Sequence, residues 1–376
     1  MKILAVCSNF HVPVGGIKQV VKRVGEELVK RHHEYTVLTI NAGNSKNEDW
    51  DNGIHIIRLP YSRFNVIGDR ESLNIISYLQ RNLGRFDIVN IYSYYSVWSL
   101  ITSFVCKRKS FPCVFTPDYH VRGTKKGIYP LVYDLYSLVG RLSFKWVDKI
   151  VCVSEYEKNL LKSKVSVPDS KIAVIPNGVD QVISHNKKTS RDAVVSILYV
   201  GVLFEAKGVQ YTIKALSVLK KRYNRECRFD IVGDGPYRTT LENLVRDLDL
   251  EDSVNFCGIM TGENLLRKFE EASVFVLLSR SETYGIVVAE ALAMGTPCIV
   301  ANIDALQEFT KEPGCFSVGY PPDANEVANL IIKIYDNEIK VGPFSKKIRT
   351  WDKVAVHYEK LYEQILNLYE VREQNK

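Results

Sequence analysis

The chain has no Cys-x-x-Cys, no Gly-x-Gly-x-x-Gly, no Gly-Lys-Ser or Gly-Lys-Thr phosphate loop, and no apolar run long enough to cross a bilayer. The most apolar stretch, Tyr95 to Cys106, spans twelve residues and includes three serines, against about twenty residues for a transmembrane helix. A membrane span is therefore not expected. The eight cysteines are scattered and mostly sit inside apolar runs, which suits buried free thiols in a reducing compartment rather than disulfides or a metal cluster. The short apolar run Ile3 to Cys7 is not followed by a small-residue cleavage site, so it reads as a first strand and not as a signal peptide. Repeats of short fixed period and low-complexity tracts are also lacking, which excludes solenoids and arrays.

What is there belongs to an ordinary globular protein: 376 residues, 46% hydrophobic, 25% charged and 11% aromatic. That length exceeds what one hydrophobic core usually serves, so two domains are expected. The formal charge of +7 is unevenly spread. Residues 1–180 hold 25 basic and 16 acidic side chains, a net +9, and the remainder is −2. An excess confined to one half suggests that this half meets an anionic partner. No recognised nucleic-acid motif accompanies it, so nucleic acid is not the expected partner.

Short β-branched runs recur at Ile3 to Cys7, Tyr35 to Ile40, Ile54 to Leu59, Ile88 to Tyr92, Cys113 to Thr116, Lys149 to Val153 and Ile172 to Ile175. Helical spacing fills most of the gaps, as in Lys18 to Arg31 with Val20, Val21, Val24, Leu28 and Val29 on one face. The alternation restarts after the polar stretch Gln181 to Arg191, with strands at Ser196 to Val200, Phe229 to Val232, Val254 to Cys257, Val274 to Leu278, Cys298 to Ala301 and Phe316 to Val318. Two doubly wound, Rossmann-like α/β domains are the expected architecture, facing a cleft where the carboxyl ends of both sheets present their loops. A long amphipathic pattern from Trp351 to about Glu373 is expected to cross back onto the first domain. The predicted boundaries are 1–178 plus about 355–376, and 179–354.

Three strand-to-helix loops carry the chemistry. Val12-Pro13-Val14-Gly15-Gly16 leads into a helix, and two glycines there let a backbone approach a phosphate at the helix N-terminus. Gly201-Val202-Leu203-Phe204-Glu205-Ala206-Lys207-Gly208 offers a lysine suited to a diphosphate. An unliganded turn explains either of these equally well. The third loop, Ser279-Arg280-Ser281-Glu282-Thr283-Tyr284-Gly285, precedes an apolar helix that carries Glu290 and is closed by Gly295-Thr296-Pro297. Glu282 and Glu290 would lie roughly 12 Å apart if all residues between were helical. That span fits a nucleoside diphosphate sugar, one carboxylate on sugar hydroxyls and the other on ribose. A buried Glu290 would need a partner, and a salt bridge or a cap is the alternative reading for either glutamate.

Glu282 and Glu290 with seven residues between them, followed by Ala-Leu-Ala-Met-Gly-Thr-Pro, resemble the signature of the family 4 retaining glycosyltransferases, which have the GT-B fold. The likeness runs along nearly the whole chain through Gly15-Gly16, Arg31-His32-His33-Glu34-Tyr35-Thr36-Val37, Asp148-Lys149-Ile150-Val151-Cys152-Val153-Ser154-Glu155, Ile175-Pro176-Asn177-Gly178-Val179-Asp180, Lys207-Gly208, Gly233-Asp234-Gly235-Pro236 and Gly258. The resemblance implies catalytic roles for Glu282, beside the reacting sugar carbon, and for His120, near acceptor and transferred sugar. It implies donor binding by Gly15, Gly16, Lys207, Gly258, Thr283, Tyr284, Gly285 and Glu290. Val202 stands where the family usually carries an arginine, which removes one guanidinium from the pyrophosphate. Arg280 is the candidate replacement.

The resemblance further implies a hexose-type sugar taken from a UDP- or GDP-sugar and given, with retention and without a metal, to a carbohydrate or lipid-linked acceptor for cell-surface polysaccharide. The protein would be cytoplasmic, and the basic residues Lys107-Arg108-Lys109, Arg122, Lys125-Lys126 and Arg141 suit an anionic membrane surface. Two other classes are open: a catalytically silent nucleotide-sugar-binding subunit, and a nucleotide-sugar epimerase of the same fold.

Overall fold

The computed structural model describes all residues except 12–14, 42, 44, 61–73, 121–138, 181–193, 337, 339–347 and 375–376. Val12-Pro13-Val14 of the first loop, Arg122, Lys125 and Lys126 of the basic set, and the polar stretch Gln181 to Arg191 fall outside the described residues. The chain divides into two compact units, Met1–Asn177 with Trp351–Lys376, and Gly178–Thr350.

Unit 1 is built on an eight-stranded sheet ordered β3-β4-β2-β1-β5-β6-β7-β8, from β1 (Lys2–Val6), β2 (Glu34–Asn41), β3 (Glu48–Asp51), β4 (Ile54–Pro60), β5 (Ile88–Tyr92), β6 (Cys113–Thr116), β7 (Lys149–Cys152) and β8 (Ile172–Val174). Every pairing is parallel except β3 with β4. The seven runs read from the sequence all form strands. β3 is the exception: Glu-Asp-Trp-Asp has neither β-branched residues nor apolar alternation, and it exists because the Asn52-Gly53 turn folds it back onto β4. Both turn residues have positive φ, 50° and 81°, as a two-residue type I′ hairpin demands.

The C-terminal helix Trp351–Gln374 belongs to unit 1. Val354, Tyr358, Leu361, Tyr362 and Ile365 recur at helical spacing and are all buried, and the helix packs on the helix Gly16–Lys30. Two of its tyrosines reach polar groups inside the sheet. Asn90, wholly buried in β5, donates from Nδ2 to Tyr362 Oη (2.8 Å) and Tyr92 Oη (2.9 Å), and the Thr116 and Tyr358 hydroxyls lie 3.5 Å apart. Tyr369 donates to Asp148 at 3.1 Å, while Glu359 accepts from Arg31 and pairs with His33. These bonds fix the axial position of a helix whose apolar stripe alone would tolerate sliding.

Unit 2 has a six-stranded, wholly parallel sheet ordered β11-β10-β9-β12-β13-β14, made of β9 (Val195–Val200), β10 (Cys227–Val232), β11 (Val254–Gly258), β12 (Val274–Leu277), β13 (Cys298–Ala301) and β14 (Cys315–Val318). All six were legible as apolar runs. Burial on both faces requires that, and β9, β12 and β13 have no exposed residue. All eight cysteines are free, six buried and Cys227 and Cys257 half-buried. Among the described residues no helix is long and apolar enough to cross a membrane.

Candidate active site

In unit 2 the second and third loops meet. Lys207 closes a short 3-10 turn, Glu205–Lys207, after β9, and Gly208 then starts the helix Val209–Tyr223. Gly208 has φ +77°, and a Cβ there would lie 2.0 Å from the Leu278 carbonyl oxygen. Only glycine lets this turn lie against the end of β12. The adjoining Arg280 N–H donates to the Ala206 carbonyl at 2.7 Å, joining the two loops through backbone.

The result is an ion pair. Lys207 Nζ lies 2.6 Å from Glu282 Oε1, with side-chain exposures of 30% and 14%, so the pair is largely screened from water. The same oxygen accepts from Ser279 Oγ at 2.7 Å, and Ser281 Oγ donates to Asp304 Oδ2 at 2.7 Å. Beneath them Tyr199 is almost wholly buried and donates to the Val202 carbonyl at 3.1 Å. Burial, then the negative Glu282, push its phenol pKa upward. Ser279 and Tyr199 were not singled out from the sequence. Ser279 could have been, since Ser-x-x-Glu places a hydroxyl three residues before a carboxylate.

Thr283, Tyr284 and Gly285 continue from this pair to the helix Ile286–Ala293, of which Gly285 is the N-cap. Tyr284 packs edge-on against Phe309 with centroids 5.3 Å apart. Because residues 282–285 are not helical, the 12 Å helical span expected between Glu282 and Glu290 does not apply. Glu290 is also less buried than expected. Val287 and Glu290, three residues apart, share the half-buried face, and the other six helix residues are buried. Gly258 ends β11 with φ +70°, its carbonyl accepts from Gly233 N–H at 2.7 Å, and no atom lies within 4 Å of where its Cβ would be. Val202, in the position of the usual arginine, is half-buried, and Arg280 is exposed beside the Lys207 turn.

The remaining candidates are in unit 1. Gly15 caps the helix that opens at Gly16, and no atom lies within 4 Å of a Cβ on Gly15. His120 follows β6. Its Nδ1 is 3.1 Å from the Asp118 carbonyl oxygen, and since a carbonyl only accepts, a hydrogen bond there requires the proton on Nδ1, which in the neutral ring leaves Nε2 as the acceptor. Tyr95 donates to the His120 carbonyl at 2.7 Å, with the two rings 5.0 Å apart. Glu157, absent from the sequence reading, is fully buried next to this loop. Its signal was Ser154-x-x-Glu157, the capping-box spacing.

Two tandem parallel α/β units, with loops at the carboxyl ends of the strands carrying an ion pair and glycine-capped helices, define the GT-B class of glycosyltransferase. Residues 180–351 match the family model described as glycosyl transferases group 1, and residues 14–183 the model described as glycosyltransferase family 4. The chain belongs to glycosyltransferase family 4. It is 25% identical to the alpha-monoglucosyldiacylglycerol synthase of Streptococcus pneumoniae over 93% of this chain and 84% of that one. Among solved structures, sucrose-phosphate synthase from Thermosynechococcus elongatus superposes with a TM-score of 0.80 at 20% identity, over 98% of this chain and all of that one. Anabaena HepE, solved with UDP-glucose, gives a TM-score of 0.71 at 15% identity over the full length of both.

Proposed function

We propose that this glycosyltransferase moves a hexose-type sugar from a nucleoside diphosphate sugar, UDP- or GDP-linked, to a hydroxyl of a glycan or glycolipid precursor of cell-surface polysaccharide, with retention and without a metal. The observation that carries the reading is the screened Lys207–Glu282 pair in the loops next to a helix N-terminus. A cation and a helix N-terminus suit a diphosphate, and a carboxylate beside them suits the sugar hydroxyls. The UDP-glucose bound by HepE and the glucosyl transfer in the name of the pneumococcal relative agree with such a donor.

In the transfer, the bond between the anomeric carbon and the phosphate oxygen breaks with oxocarbenium character. The acceptor oxygen bonds to that carbon from the same face, and the acceptor proton passes to a phosphate oxygen. Lys207, with the Gly15-Gly16 amides and the helix N-terminus at Gly285, stabilises the charge growing on the diphosphate. Glu282 orients the sugar, Glu290 takes the ribose hydroxyls, Thr283 and Tyr284 line the donor, and Gly258 leaves room for the nucleobase. His120 Nε2 accepts from a hydroxyl of the transferred sugar or the acceptor.

The test is nucleoside diphosphate release across a donor panel, with and without acceptor. Acceptor-dependent release is expected, and release or isomerisation of donor without acceptor would favour the epimerase. Glu282→Ala should abolish transfer while calorimetry still detects donor binding; unchanged turnover in that variant would falsify the site.

The acceptor reading includes an anionic membrane. On the helix Val97–Arg108, exposed Phe104 is followed at three and four residues by exposed Lys107 and Arg108. Phe104 meets Trp146 at 5.5 Å between centroids, and Val139 and Leu142, on the same face of helical residues 139–146 as Trp146, are exposed. An apolar face edged by cations suits an interfacial contact with anionic lipid.

A further inference from the structure

We propose that Glu157 is a positioning residue for transfer, holding His120 in its working pose by tying down the loop that carries it. The inference rests on the reading of His120 as the group that meets the reacting sugar or acceptor.

Glu157 is the third residue of the helix Glu155–Val165. Its N–H donates to Ser154 Oγ at 3.1 Å, which is the first half of a capping box. The carboxylate does something a capping box does not require. Oε2 accepts from the Val153 N–H at 2.7 Å, and Oε1 accepts from the Tyr119 N–H at 2.5 Å, 38 residues away in sequence. Val153 directly follows β7 and Tyr119 lies three residues beyond β6, its neighbour in the sheet. One side chain thus staples the ends of two adjacent strands, and the next residue after the staple is His120.

The loop needs such a tether. Between Thr116 and His120 the chain turns through Asp118 at φ +49°, a left-handed conformation that an L-residue adopts only with support. Asp118 supplies the carbonyl that holds Nδ1 of His120, so the ring orientation, and the lone pair left on Nε2, depend on that turn staying in place. Tyr95 holds the carbonyl of His120 from the other side.

The chemistry of the tether explains why a glutamate serves. Two N–H donors call for two oxygens that can accept, which a carboxyl group offers in either protonation state because its hydroxyl oxygen keeps a lone pair. Glutamine would turn an NH2 toward one of the two donors, and aspartate is one methylene short. Glu157 is 0% exposed and both of its oxygens are taken by backbone N–H groups, so its role is through His120 and not on substrate.

The experiment compares steady-state kinetics of Glu157→Ala, Glu157→Gln, His120→Ala and the Glu157→Ala/His120→Ala double variant, with 15N NMR of the histidine side chains. Glu157→Ala is expected to lower kcat on the order of 10²-fold, the scale of an ångström-level misplacement, with the donor KM unchanged. Glu157→Gln, which keeps the volume and one acceptor oxygen, recovers only part of the loss. In the His120→Ala background Glu157→Ala costs nothing further. The His120 resonances show Nδ1 protonated in the parent and a mixture of tautomers in Glu157→Gln. An equal loss in both backgrounds, a loss confined to donor KM, or unchanged His120 resonances would overturn the proposal. Should Glu157→Ala not fold, the isosteric glutamine variant decides through the same resonances. If His120→Ala turns over normally, the reading of His120 is what fails, and the NMR comparison still tests the tether.

Discussion

At the carboxyl ends of its strands unit 2 carries charge, and unit 1 carries rings. In unit 2 Lys207 and Glu282 neutralise each other at 2.6 Å, held by two loops that the sheet brings together and that are joined through the Arg280–Ala206 backbone bond. In unit 1 the corresponding end gathers Tyr94, Tyr95, Tyr119, His120 and Phe144, with Tyr94 in ring contact with Tyr95, Tyr119 and Phe144 at 4.9 to 5.2 Å. Among the described residues there, the deeply buried acid is Glu157, turned inward on backbone. The contrast follows from what each end is proposed to meet. A diphosphate requires a cation and a desolvated partner to steer it. An acceptor hydroxyl requires a shaped wall and one oriented hydrogen-bond acceptor.

The sharpest way to break this division is Lys207→Ala. If unit 2 supplies the electrostatics of the leaving group, the variant loses on the order of 10² to 10³ in kcat, or about 3 to 4 kcal/mol of transition-state stabilisation. Single-turnover kinetics with saturating donor measure it, and a change confined to acceptor KM would erase the distinction.

Next in size is the membrane surface of unit 1. Lys107→Ala with Arg108→Ala should weaken flotation with anionic liposomes by about 2 kcal/mol, roughly thirtyfold, and leave hydrolysis or transfer with soluble acceptors intact. Binding that is insensitive to both the variant and salt would remove lipid from the acceptor side.

The inward acid of unit 1 gives a pH signature of its own. Burial, reinforced by nearby Asp118, outweighs the two N–H donors and raises the Glu157 pKa from 4.5 to about 8. Cys152 and Tyr358 also face it. Between those values the unfolded chain has released the proton and the folded chain still holds it, so raising the pH favours unfolding. The contribution is complete below about 4.5 and is lost as the pH climbs through about 8. Its slope is at most about 1.4 kcal/mol per pH unit. Denaturation of the parent and of Glu157→Gln across that window should diverge, with the variant flatter; parallel curves would show that the acid is not buried with a raised pKa.

The smallest effect concerns the polar seam under the C-terminal helix. Tyr362→Phe removes one acceptor from Asn90, which keeps Tyr92, and should cost about 1 kcal/mol, read as a lower midpoint in urea. A loss several times larger would mean that the seam, and not the apolar stripe, holds the helix.

Most of the fold was legible because parallel strands buried on both faces must be written as apolar runs, and thirteen such runs became thirteen strands. β3 was missed since an edge strand has no such obligation, although Asn52-Gly53 announced its hairpin. In the candidate site, the glycines and acids that lie along one continuous segment were readable, from Ser279 to Glu290. The expected burial of Glu290 was overestimated because apolar neighbours in sequence do not reveal which helical face is left open. The long-range reach of Glu157 beyond its Ser154-x-x-Glu spacing, and Tyr199, were invisible for a different reason. Their partners, Tyr119 and Glu282, are brought to them only by the sheet, and nothing in a linear pattern encodes which carboxylate will reach which distant backbone N–H.

The return of the chain to unit 1 at Trp351 also sets an order of assembly during synthesis. When the ribosome has finished β8, the face of unit 1 that receives Tyr358, Tyr362 and Ile365 is still bare, and it stays so until all of Gly178–Thr350 has been made. Unit 2 is uninterrupted and can close on its own as it emerges. The unit translated first is therefore the one completed last, and a nascent chain arrested before Trp351 would present a folded second half joined to a first half still awaiting its final helix.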